Sequence, residues 1–172
     1  TTLFLRTTNT PSNVLAPGQL IYYADTDQSD QLRPNYVVAM SLAPSLFKLE
    51  EGLLTAKYML LGKYGLLTLE KGDADYTSIY RQQHDRHNAK VSDGSSYHQG
   101  PEWPWLLGCY IKCCKLVKWP VDELEYRIAE LIESSQSWLS VPEIFDGSGL
   151  PSPDGCPAQA WSVACILEAI VL

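Results

Sequence analysis

Apolar stretches with helical spacing alternate along this chain with long polar stretches of no fixed period. Residues 1–30 are rich in Thr, Ser, Asn and Asp and carry two prolines, Pro11 and Pro17. Only residues 20–24 there read as a short strand, and the rest of 1–30 is predicted to be irregular. A short apolar run over 36–42 ends at Ala43-Pro44. Leu46, Leu49, Leu53, Ala56 and Leu60 then recur every three or four positions, with Phe47, Leu54, Tyr58 and Leu61 widening the stripe. That spacing predicts an amphipathic helix, which Gly62 and Gly65 stop.

Residues 70–101 are polar and aperiodic, an uncommon length for a plain connection and one usually kept for function. The next segment, 103–117, is apolar nearly all round, with Lys112, Lys115 and Lys118 as a narrow polar strip, which predicts a helix buried on most sides. Trp119-Pro120 breaks it. Val121, Leu124, Ile128, Leu131, Ile132 and Trp138 outline a further amphipathic helix with Asp122 and Glu123 in its first turn, where acids suit the helix dipole. A second irregular loop covers 140–157. The last helix, 159–172, has one charged residue, Glu168, and is expected to be buried.

The pattern is all-α, with four or five helices and two long loops. Helix bundles usually use short connections. Long loops at alternate connections suit a helical barrel whose loops gather at one end.

At 172 residues the chain fits one domain. A net charge of −7 with scattered basic residues argues against a nucleic-acid partner. It leaves room for a neutral polymer, and five Trp and ten Tyr supply rings that suit sugars and cores alike. No stretch reaches the ~18 apolar residues of a membrane span. The five cysteines show no metal-ligand spacing, so no metal and no cofactor is expected, and four of them lie in apolar helical patterns as small hydrophobes. These features predict a reduced, cytoplasmic protein. Thr1 in place of an initiator Met fits a fragment or a processed chain.

Each long loop delivers polar groups to the start of an apolar helix, where free N–H donors face outward. The first ends in Tyr97-His98-Gln99-Gly100-Pro101-Glu102-Trp103. The second holds Pro142-Glu143-Ile144-Phe145-Asp146-Gly147 and leads to Gln159-Ala160-Trp161-Ser162. With Leu32-Arg33-Pro34-Asn35 upstream, these four motifs, in this order and spacing, resemble the glucosidase domain of glycogen debranching enzymes. The resemblance spans residues 31–172 and implies the C-terminal part of an (α/α)6 barrel, preceded by the irregular segment 1–30.

What the resemblance implies is inverting hydrolysis of α-1,6-linked glucose at trimmed glycogen branch points, with glycogen or a branched limit dextrin as substrate and no cofactor. Glu143 takes the position of the catalytic base. The family's general acid is an Asp upstream of everything in this chain, so the isolated chain is expected to be incomplete and inactive, and the upstream remainder of the enzyme is its expected partner. Tyr97, His98 and Gln99 are candidates for substrate contact, as are Arg33 and Asn35, which could equally fix the loop backbone. Trp103 and Trp161 are candidates for stacking on glucose, or for the core. Glu102, after Pro101, reads as a helix-opening acid and is the alternative catalytic carboxylate. Asp93 and Asp146, each beside a Gly, read as turn formers, and His84 and His87 as solvated loop residues.

Two other functions fit the same loops. One is a non-catalytic glucan-binding remnant. The other is a different (α/α)6 hydrolase of glucoamylase or trehalase type.

Overall fold

In the computed structural model, which describes residues 4–9, 19–81, 96–134 and 140–172, the chain is mostly helical, with two small sheets. Strand β2 (Gln19–Ala24) lies where a strand was expected and buries Leu20, Tyr22 and Ala24, the alternate positions of a half-covered strand. Its antiparallel partner is β1 (Phe4–Asn9), in the segment predicted to be irregular, with Phe4 opposite Ala24. Nothing in Phe-Leu-Arg-Thr-Thr-Asn alternates cleanly enough to announce a strand, and the pairing makes it one.

The apolar run after Pro34 is helix α1 (Asn35–Leu42), which buries Tyr36, Val37 and Met40. Pro44 ends it by opening a single tight turn, Pro44–Leu46. Helix α2 (Leu49–Thr55) follows and continues through a wider turn, Ala56–Leu60, so the predicted helix is present without its first few residues. The Thr55 hydroxyl donates to the carbonyl of Ile21 and ties α2 to β2.

Chain reversal at Gly62–Gly65 then leads into β3 (Leu66–Leu67), paired with β4 (Glu102–Trp103). Gly65 is required there, since a Cβ on it would lie 2.6 Å from the Trp103 carbonyl.

Helix α3 (Pro104–Leu116) is the central element and buries Leu106, Leu107, Tyr110, Ile111, Cys113 and Cys114, as its composition predicts. Burial pushes the Cys113 thiol up to about 12 and that of Cys114 to about 11, so both stay protonated. Helix α4 (Asp122–Ser134) faces the core with Leu124, Ile128 and Leu131. Trp138 lies outside the described residues.

Helix α5 (Ala160–Val171) packs chiefly on α3, and Gly108 marks the close approach, because a Cβ there would collide with the Cys165 backbone. The expectation of a fully buried last helix is not met. Ser162, Ile166 and Ala169 are covered, whereas Trp161, Leu167 and Val171 are 57%, 54% and 83% exposed. One helix can cover only one face of another, and α3 is that cover. No helix among the described residues is long and apolar enough to cross a membrane.

Candidate functional site

The two long loops meet. Residues 141–143 run beside 156–159, with the Glu143 N–H donating to the Cys156 carbonyl (2.8 Å) and the Gln159 N–H to that of Val141 (2.9 Å). Two residues on, Phe145 exchanges both backbone hydrogen bonds with Glu102, at 2.8 and 2.9 Å. The backbone of Glu143 is therefore pinned on both sides, once to the approach of α5 and once to β4.

Its carboxylate carries three donors. Tyr97 donates its phenol to Oε1 at 2.6 Å, Gln159 Nε2 donates to the same oxygen at 2.9 Å, and the Cys156 N–H reaches Oε2 at 3.1 Å. Burial, and then the bond to Glu143, push the Tyr97 phenol well above its ordinary value, so it stays a donor at any physiological pH. Hydrogen bonds of this kind, to an ionised acceptor, are short and strong and fix its direction.

Glu143 lines an open pocket of about 710 Å³ together with Arg33, Asn35, Tyr97, His98, Trp103 and Trp161. Seven of the eight residues to which the resemblance points for catalysis or substrate contact thus share one wall system. Gln99 is the exception and does not line the pocket; its Oε1 accepts a hydrogen bond from Arg33 at 2.6 Å.

Arg33 has all of its N–H donors engaged within the chain. Nε and one Nη bond Gln31 Oε1 at 3.1 and 2.9 Å, and that Nη also serves Gln99. The other Nη reaches the carbonyls of Thr68 (3.2 Å) and His98 (2.6 Å). A guanidinium has five N–H donors, and these bonds use them all. In this structure these bonds tie Gln31, Thr68, His98 and Gln99 to one guanidinium.

Asn35 donates to Asp25 Oδ2 at 2.8 Å. Asp25, Thr68, Trp105 and Gln159 also line the pocket and were not singled out in the sequence. Gln159 stood within a quoted motif; Asp25 had no local signal, since it arrives on the end of the N-terminal hairpin.

The rings form two stacks. His98 lies over Trp103 (centroids 5.1 Å, 25°), with Tyr97 edge-on to Trp103 at 4.8 Å. Trp103 is 6% exposed, a floor more than a platform. Trp105 and Trp161 stack at 4.5 Å and 22°, with the outer face of Trp161 bare. Burial, reinforced by the Arg33 cation, lowers the His98 imidazole from its ordinary value, so the ring is neutral at pH 7 with one donor and one acceptor.

Glu102 does not open a helix, as the sequence led one to expect; α3 starts two residues later, and Glu102 lies in β4, 3% exposed. Its Oε2 accepts the Tyr64 N–H at 3.0 Å, and it does not line the pocket. Asp146 is the turn former predicted, its Oδ1 accepting from Ser148 N–H (2.9 Å), Ser148 Oγ (2.6 Å) and Leu150 N–H (3.2 Å). His84, His87 and Asp93 lie outside the described residues. No group of His, Cys, Asp and Glu suited to a metal ion occurs among the described residues.

Chemically, the pocket offers a hydrogen-bonded carboxylate, a second carboxylate at Asp25, hydroxyl and amide groups, and aromatic faces, with the N–H donors of its guanidinium already engaged by protein acceptors. Such a lining suits a neutral, hydroxyl-rich ligand better than an anionic one.

The chain matches the sequence model of the family described as amylo-alpha-1,6-glucosidase over residues 18–168. It is also 33% identical over 162 residues to the glycogen debranching enzyme of Saccharomyces cerevisiae, an alignment covering 80% of this chain and 10% of the yeast protein. The chain thus spans about a tenth of the length of that curated relative.

Proposed function

Because the chain belongs to the amylo-alpha-1,6-glucosidase family, we propose that it forms part of a glycogen debranching glycoside hydrolase in which Glu143 is the general base. The observation that carries this reading is Glu143 itself, pinned at its backbone, oriented by three donors and placed in an aromatic-lined pocket. In an inverting hydrolysis Glu143 takes a proton from water as the water oxygen bonds to the anomeric carbon of the α-1,6-linked glucose. The bond from that carbon to O6 breaks, and a second carboxyl delivers its proton to O6. Inverting enzymes hold the two carboxyls ~6.5–9.5 Å apart, so that the water fits between them.

The second carboxyl belongs, by resemblance, to an Asp outside this chain, in the remainder of an (α/α)6 barrel whose C-terminal part is residues 31–172. Asp25 is the other carboxylate lining the pocket among the described residues and is the alternative within the chain. Trp161 offers its open face to a sugar ring, and His98 and Asn35 supply hydrogen-bonding groups at the pocket. The substrate is a neutral branched glucan such as glycogen or its limit dextrin. Five free thiols fit a cytoplasmic setting for the same reading.

Glucose release from a branched limit dextrin tests it, in three forms: the chain alone, the chain exchanged for the matching segment of the yeast enzyme, and that chimera with Glu143→Gln. The expected outcome is release by the chimera alone, with a loss of about 10²–10⁴-fold in the Glu143→Gln form. An active Glu143→Gln chimera removes Glu143 from the role of base. Release by the chain alone places the acid within it, and Asp25→Asn then abolishes that activity. Dextrin binding by an inactive chimera favours the glucan-binding alternative.

A further inference from the structure

Gln159 and Ser162 are the two ends of the Gln-Ala-Trp-Ser motif, three residues apart across the first turn of α5. Gln159 is the residue just before the helix, and its side chain makes no capping bond to it. Instead Gln159 Nε2 donates to Glu143 Oε1 at 2.9 Å, and its own Oε1 accepts the Ser162 hydroxyl at 2.6 Å. Ser162 is fully buried, at 0% exposed, on the α3-facing side of the helix.

These two bonds settle which way the Gln159 amide points. An amide oxygen can only accept, and a hydroxyl has one proton to give. Were the amide turned over, its oxygen would face a carboxylate oxygen, which only accepts, so Glu143 selects the direction of the amide. Ser162, whose hydroxyl can donate or accept, then holds the oxygen end of that amide in place, and the nitrogen end so held fixes Oε1 of Glu143.

The count of lone pairs on the carboxylate gives the consequence. Oε1 has two accepting directions, and Tyr97 and Gln159 take both. Among the described residues Oε2 accepts the Cys156 N–H alone, which leaves one of its directions open. We infer that Ser162 and Gln159 form a positioning relay which, together with Tyr97, saturates Glu143 Oε1 and leaves Oε2 as the atom that receives the proton. The inference rests on the reading of Glu143 as base. It makes Gln159 and Ser162 positioning residues, which act on the proton-accepting oxygen only through the rest of the carboxylate.

Two experiments test the relay, one of them independent of activity. In the 172-residue chain, the two Gln159 side-chain N–H signals are followed by NMR through the carboxylate pH range. The expected result is a pair of well-separated, slowly exchanging signals that move as Glu143 gains its proton and lose that movement in Glu143→Gln. Ser162→Ala brings them toward free-amide positions. Signals at free-amide positions in the unaltered chain, unmoved across the carboxylate pH range, overturn the relay without any variant having to fold.

In the yeast chimera, Gln159→Leu removes a donor that orients the Glu143 carboxylate, so kcat falls roughly 3- to 10-fold with little change in KM. Ser162→Ala lowers kcat by less, and the double variant goes no further than Gln159→Leu alone. Additive losses mean that Ser162 does not act through Gln159 and overturn the inference. A chimera without hydrolysis in which the NMR coupling persists sinks the hydrolase reading while leaving the relay intact.

Discussion

Replacing Arg33 by Met removes five hydrogen bonds while keeping an unbranched apolar stem, and the structure fixes what that should cost. The bonds to Gln31 Oε1 are local, and the bond to the His98 carbonyl is exposed, so water replaces them cheaply. The bonds to Thr68 O and Gln99 Oε1 are partly buried and join segments 35 and 66 residues apart. Hydrogen bonds from a charged donor are worth about 1.5–3 kcal/mol each, and two such bonds with partial rehydration give a loss of about 2–4 kcal/mol. Arg33→Lys should recover only part of it, because an ammonium cannot serve Thr68 and Gln99 from the two arms of one rigid fork. Urea unfolding followed by tryptophan fluorescence measures the difference. Amide exchange at Gln99 and Gly100 should rise most, since the guanidinium clamps that turn. A loss below about 0.5 kcal/mol, the range of an ordinary surface substitution, refutes the clamp and returns Arg33 to the list of groups free to bind sugar.

Two further outcomes follow from packing and burial. Burial raises the Glu102 carboxyl above its usual 4.5, against the opposing backbone N–H groups of Tyr64, Lys63 and Gly65. A raised carboxyl contributes stability that is fully present below pH 4.5 and is lost as pH rises through its folded value. Unfolding free energy of the unaltered chain relative to Glu102→Gln should therefore fall with pH across that window and be flat above it; a difference that rises with pH contradicts the burial argument. Gly108→Ala places a methyl against the Cys165 backbone, and overpacking of about 1–3 kcal/mol outweighs a helix-propensity gain of at most about 1 kcal/mol. The variant should melt lower, and an equal or higher melting temperature means that α3 and α5 do not approach this closely.

The helices were legible because their signal is local. Buried α3, amphipathic α4 and the start of α5 follow from a 3.6-residue period and from Pro and Gly at their ends. Motif positions were legible too, and seven of the eight residues to which the resemblance points for catalysis or substrate contact line one pocket. The strands were harder. β3 and β4 are two residues long, too short to alternate, and β1 depends on a partner across a connection. Asp25 likewise entered the site by a pairing that its neighbours do not encode.

Sequence by itself determined, then, which segments coil, where they break, which family the loops resemble and which carboxylates deserved attention. Only the tertiary structure separated the surroundings of Glu102 and Glu143. Both follow a proline in a polar loop; one lies 3% exposed against the turn at Tyr64, and the other faces a pocket with three donors on its oxygens. It likewise engaged every donor of Arg33 and left one face of α5 bare. Periodicity records that a side chain meets apolar or polar surroundings, because that depends on local geometry. Which acceptor a donor finds depends on segments tens of residues away, and only folding brings those together.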